Sequence, residues 1–224
     1  PLLAQDDPTD LAIEALRSLR TSLHFAMMDA DNKILMITGP SPSVGKSFVS
    51  ANLGAVLAQT GQRVLVIDAD MRKGHLHRYL QSNNNLGLSA YLSGQCTKED
   101  IIQSSGIDKL DFISRGKAPP NPSELLMHER FQSLMHSLSD DYDLILVDTP
   151  PILAVTDAAI VGQLAGSSLL VTRFGVNSVK EVDAALTRFA QNNVEIKGAI
   201  LNCMERRASN EYGYYAYEYG SSND

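Results

Sequence analysis

Three stretches of this chain combine residue types and spacing that could do chemistry, and each closes an apolar run. The first is Gly39-Pro40-Ser41-Pro42-Ser43-Val44-Gly45-Lys46-Ser47-Phe48, which follows the apolar segment Ile34 to Thr38. A strand, a loop of small residues and a helix opening on Gly-Lys-Ser is the order a polyphosphate cradle needs. Loop N–H groups and the helix N-terminus present partial positive charge, a lysine reaches the β/γ-phosphates, and a hydroxyl can ligate Mg²⁺. Lys46 and Ser47 take those two roles, with Gly39, Ser43, Val44, Gly45 and Phe48 expected around the nucleotide. Pro40 stands where the usual pattern has its first glycine, so the loop loses one donor and its entry is stiffer.

The second stretch, Asp68-Ala69-Asp70-Met71-Arg72, ends the apolar run Val64 to Ile67; the third, Asp148-Thr149-Pro150-Pro151, ends Tyr142 to Val147. Acidic residues just past the carboxyl ends of parallel strands lie in the crevice where open α/β sheets bind ligands. Hard cations take oxygen ligands, so Asp70 and Asp148 are candidates to hold Mg²⁺ or its waters. The plainer alternative for Asp68 and Asp70 is a turn or a helix cap. Asp157, just before an Ala-rich helix, reads first as an N-cap and second as a functional carboxylate.

The elements that position these residues follow from periodicity. Residues 1–8 read as a linker. A helix from Thr9 to Met28, capped by Thr9 or Asp10, buries Leu16, Leu19, Leu23 and Met27 at 3- and 4-residue spacing. Glu14, Arg17 and Arg20 fall on another arc of that helix, which alone reads as a solvated face with an i,i+3 ion pair. Helices are expected at Phe48–Ala58, Leu88–Leu92, Lys98–Gln103, Ser123–Leu138 (with Ser123 as its cap) and Val179–Gln191. Strands are expected at Leu110–Ile113, Ser168–Thr172 and Lys197–Leu201, besides the three above. Strands alternating with helices specify an α/β fold with a mainly parallel central sheet covered on both faces. Arg173 and Asn202 then lie at the ligand-binding edge, as candidates to contact the nucleotide base.

Bulk properties exclude several classes. The net charge of −7 argues against nucleic acid as a partner. The two cysteines, Cys96 and Cys203, lack metal or redox spacing, and no apolar run reaches the roughly 18 residues of a membrane span. The chain opens at Pro1 without a Met, so a preceding segment is expected. The end is unusual: five of the eight tyrosines, Tyr212, Tyr214, Tyr215, Tyr217 and Tyr219, crowd into residues 209–224, a low-complexity stretch expected to be flexible. Five phenols would each want a hydrogen-bond partner if buried. Beside an ATP site they read as substrates.

These residues resemble the bacterial tyrosine kinases, specifically the cytoplasmic kinase domain of Wzc-type co-polymerases of capsule and exopolysaccharide export. The resemblance covers nearly the whole chain. It rests on Gly45-Lys46-Ser47, Val64–Arg72, Leu144–Pro151, Ser114–Leu126, the E-x-x-R-x-x-R helix and the tyrosine cluster. It implies a P-loop kinase domain over residues 9–208, of MinD/ParA-like fold, using ATP and Mg²⁺ to phosphorylate the tail of a neighbouring subunit in a ring. It further implies an inner-membrane segment before the domain, a cognate tyrosine phosphatase and the polysaccharide export machinery as partners, and Glu14, Arg17 and Arg20 at the subunit interface. Some members carry an activating tyrosine where this chain has His75, with Tyr79 the nearest substitute. In the implied mechanism Asp68 orients and deprotonates the incoming phenol, and Arg72 or Arg115 stabilises the transferring phosphate. Two other readings stand beside it: a MinD/ParA-like ATPase switch that hydrolyses ATP without using the tail, and a nucleotide-bound interaction module without turnover.

Overall fold

The structure is a computed structural model that describes residues 2–204, so the tyrosine cluster lies outside the described residues. In chain order the elements are α1 (Leu3–Asp6), α2 (Leu11–Met28), β1 (Ile34–Thr38), α3 (Lys46–Ala58), β2 (Val64–Asp68), α4 (Leu88–Leu92), α5 (Lys98–Ile101), β3 (Ile102–Ile107), β4 (Leu110–Ile113), α6 (Pro122–Met127), α7 (Glu129–Asp141), β5 (Leu144–Asp148), α8 (Asp157–Gly162), β6 (Ser167–Arg173), α9 (Val179–Ala190) and β7 (Gly198–Asn202).

The seven strands form one sheet in the order β3-β4-β2-β5-β1-β6-β7. Every neighbouring pair is parallel except β3–β4 at one edge. The central strands β1, β2 and β5 are buried at every position, as apolar runs covered on both faces must be. Successive side chains then divide between two cores. Ile34, Met36, Leu65, Ile67, Ile145 and Val147 pack with Phe131, Leu134 and Phe189 on one face. Leu35, Ile37, Val64, Val66, Leu144 and Leu146 pack with Ile13, Leu16, Leu23 and α3 on the other. Because β1, β2 and β5 are adjacent and parallel, their carboxyl ends deliver the phosphate loop, Asp68 and Asp148 to one edge.

Four expectations are corrected. Residues 1–8 are not simply a linker: Leu2 and Ala4 are buried, and the Ala4 N–H donates to Asn52 Oδ1 at 2.9 Å. The helix expected over Lys98–Gln103 stops at Ile101, and the chain continues as the antiparallel edge strand β3, whose partly exposed alternation hid it. The helix expected over Ser123–Leu138 is two, broken at His128, whose ψ of 144° is extended. Ser123 lies inside α6 and caps nothing; Asn121 is the N-cap residue. Asp10, one of the two residues expected to cap the first long helix, does so by accepting from Ala12 N at 2.7 Å.

Candidate active site

The phosphate loop is built by drawing its carbonyls away. Gly39 O and Pro40 O accept from the N–H groups of Ile152 and Leu153 at 3.0 and 3.2 Å. Ser43 O accepts from Arg173 Nη1 at 3.2 Å, and Val44 O from Asn202 Nδ2 at 3.0 Å. Among the described residues no N–H of residues 41–45 donates to a protein acceptor. A loop with the carbonyls of residues 39, 40, 43 and 44 engaged elsewhere and its amides uncommitted keeps those amides for an anion, which is how backbone alone makes a phosphate nest. Gly45 holds φ +96° at the turn into α3, a left-handed conformation that disfavours other residues. A side chain there would also strike Asn202 Nδ2 at 2.1 Å.

Sequence placed Arg173 and Asn202 at this edge as candidate contacts for the base; in the structure both side chains lie there and hydrogen-bond to carbonyls of the phosphate loop. Val44 is fully buried behind it. Phe48 packs edge-on against Tyr79, ring centroids 6.5 Å apart, and Tyr79 lies 6.2 Å from the His75 ring.

Lys46 is buried at the start of α3. Ser47 Oγ donates to Asp148 Oδ2 at 2.7 Å, joining residues 101 apart in sequence, and Ser50 Oγ donates to Asp148 Oδ1 at 3.3 Å. Ser50 was missed from sequence, although it lies three residues beyond Ser47 and so on the same helix face. Burial pushes the Asp148 carboxyl up to about 6; Lys46 and the Ser47 hydrogen bond pull it down, and Asp70 pushes it up.

Asp68 pairs in register with Asp148 across β2 and β5 and has no exposure. Its Oδ1 accepts from Asp70 N at 3.2 Å and its Oδ2 from Leu76 N at 3.1 Å, so it clamps the turn that follows β2. Burial, then the neighbouring Asp148, raise its carboxyl well above the ordinary range. Gly74 covers it so closely that a Cβ would fall 2.1 Å from Oδ1. Asp68, the expected general base, is thus a fully buried carboxyl already committed to two backbone N–H groups. Asp70 is partly exposed; its Oδ1 accepts from the N–H groups of Arg72 and Lys73 at 3.2 and 2.9 Å.

Arg72 and Asp157 depart furthest from expectation. Arg72 Nε donates to Asp157 Oδ2 at 3.0 Å and Nη2 to Oδ1 at 3.1 Å. Thr156, not Asp157, is the N-cap residue of α8, and Asp157 is fully buried within it. The N-cap reading is therefore overturned, and no local signal pointed to the partner because it lies 85 residues away. Arg115 Nε donates to Gly74 O at 2.7 Å, bracing the same turn. On α2, Glu14 and Arg17 form the expected i,i+3 ion pair, while Arg20 makes no ion pair among the described residues. No helix among the described residues is long and apolar enough to cross a membrane.

Comparison with known proteins fits this geometry. The model of the AAA domain family matches residues 32–191. The tyrosine-protein kinase wzc of Salmonella typhimurium is 58% identical over 224 residues and covers 99% of this chain, which spans only 31% of that relative's length. The kinase domain of Escherichia coli tyrosine kinase ETK superposes with a TM-score of 0.90 at 54% identity, over 98% of this chain and 84% of that one. The septum site-determining protein MinD of Pyrococcus horikoshii, complexed with Mg-ADP, shares the fold alone, at 22% identity and a TM-score of 0.64 over 80% of this chain and 76% of that chain. With a phosphate loop, two acidic strand ends and 54% identity to a solved tyrosine-kinase domain over 98% of its length, the chain belongs to the bacterial tyrosine-kinase family, on a P-loop fold it shares with the MinD ATPases.

Proposed function

We propose that this chain is the kinase domain of a protein-tyrosine autokinase that binds Mg·ATP at residues 39–47 and phosphorylates Tyr212, Tyr214, Tyr215, Tyr217 and Tyr219 of a neighbouring copy. The observation that carries the reading is the 2.7 Å contact of Ser47 with Asp148, beside a loop whose amides have no protein acceptor among the described residues. Phosphoryl transfer asks a protein mostly for positioning and charge neutralisation. Lys46 supplies the fixed cation. Ser47, Asp148 and Asp70 are hard oxygen donors and fit Mg²⁺, which when bound neutralises charge on the β- and γ-phosphates. Asp70 alone of the three strand-end carboxylates reaches solvent, so we assign to it the reception of the incoming phenol, whose pKa of about 10 demands proximity more than basicity.

Glu14, Arg17 and Arg20 form the face offered to the neighbouring copy in a ring, in keeping with the exposure of Glu14. Attachment to the inner membrane through a preceding segment, service to polysaccharide export and reversal by a cognate phosphatase belong to the same proposal. Their support is the identity to wzc, a relative more than three times as long as the matched region. The test is incubation with Mg·ATP followed by intact mass and peptide mapping, beside Lys46→Met and a chain truncated after Asn210. Phosphates confined to Tyr212–Tyr219 and absent from Lys46→Met are expected. ATP consumed equally with and without the tail, with no mass gain, would replace this reading by an ATPase switch.

A further inference from the structure

Asp157 is a fully buried charge at the ligand edge that the proposed chemistry does not use. Both oxygens of its carboxylate are partnered: besides the two bonds from Arg72, Oδ1 accepts from Ser123 Oγ at 2.7 Å, and Arg72 Nη2 also donates to Ser123 Oγ at 3.0 Å. Three separate segments meet there, namely the turn after β2, the start of α6 and the start of α8. A buried carboxylate is tolerated when a cation and further hydrogen bonds compensate it. The guanidinium meets it through a two-pronged planar fork, which sets orientation as well as distance.

Arg72 is gripped at both ends. Its side chain is held by Asp157 and Ser123, while its backbone N–H donates to Asp70 Oδ1. Asp70 has no rigid element of its own, since it sits in the turn beyond β2. What orients its carboxylate is the main chain of residues 72 and 73, which the Arg72 fork holds from the far side while Asp68 and Arg115 hold the rest of the turn.

We infer that Asp157, assisted by Ser123, is a positioning residue for the metal site: through Arg72 it holds the Asp70 carboxylate in place to receive Mg²⁺. The inference rests on the proposed Mg·nucleotide site and adds to it a residue remote from the phosphate loop. Loss of partners that orient metal ligands typically lowers metal affinity about 10–100-fold.

The experiment measures binding of a fluorescent ADP to the full chain during Mg²⁺ titration and in EDTA, at a temperature where circular dichroism shows each variant folded. Asp157→Asn is expected to bind the metal-free nucleotide as wild type does, but to need about tenfold more Mg²⁺ for half-maximal tightening. Arg72→Met should raise the Mg²⁺ requirement similarly, and the double variant no further, because both act through one contact. Should Asp157→Asn not fold, Ser123→Ala keeps both charges and should still raise the requirement about two- to threefold. An unchanged Mg²⁺ requirement in the folded variants, or additive effects, would overturn this inference alone. Wild-type binding that ignores Mg²⁺ altogether would overturn the proposed site with it.

Discussion

Asp148 and Asp157 are both buried at the same edge of the sheet, but their partners differ in charge. Asp148 accepts two serine hydroxyls and is pushed up to about 6, with Lys46 as its compensating cation. Asp157 accepts one serine hydroxyl and a two-pronged guanidinium. A buried carboxylate held mainly by neutral donors remains costly to ionise and gains from an added cation; one with a built-in guanidinium has no such need. The same residue type at the same depth thus makes a binding group in one place and framework in the other. Asp68 is a third kind, a buried carboxyl spent on two backbone N–H groups.

The largest effect that tests this contrast is on turnover. Asp148→Asn should lower the rate of phosphate incorporation about 10²–10³-fold at saturating Mg²⁺, as loss of a charge-stabilising group does. Asp157→Asn should lower it roughly tenfold and recover in part as Mg²⁺ is raised. Equal losses in the two variants would erase the distinction.

Stability should separate the pair in the opposite sense. Urea unfolding of metal-free protein should show Asp157→Leu losing about 1–3 kcal/mol. That figure lies below a fully buried pair because the Arg72 side chain is 37% exposed and partly screened. Asp148→Asn, which removes a carboxyl without stranding a guanidinium, should lose less than that.

A comparable effect concerns pH. The Asp148 carboxyl moves from 3.8 to about 6 on folding, so its contribution to stability is fully present below 3.8 and is lost as pH rises through about 6. Asparagine at that position carries no such cost. In metal-free protein the melting temperature of Asp148→Asn relative to wild type should therefore rise by roughly 5–10 °C between pH 4 and pH 6.5 and level off above. A constant difference across that window would show that Asp148 does not bear the assigned burden. The smallest effect is expected of Ser50→Ala, which removes one long hydrogen bond of 3.3 Å and should cost about 0.5 kcal/mol in urea unfolding.

Much of the site could be read in advance because it is locally encoded. Ile34–Thr38, Leu110–Ile113 and Leu88–Leu92 have the boundaries that apolar runs and turn residues predict. Gly45-Lys46-Ser47 opens a helix, and Asp148 ends a strand. The edge strand β3 escaped because its alternating exposure and its single glycine carry little strand signal. The break at His128 escaped because helix periodicity runs through it on both sides.

The sequence by itself determined the order of strand, loop and helix and the acidic residues at the strand ends, since steric preference and hydrophobic period act over a few neighbours. Only the tertiary structure decided which aspartate would meet hydroxyls, which a guanidinium and which only backbone. Those partners stand as far as 101 residues away, and the charge state of a buried carboxyl is set by what folding brings against it.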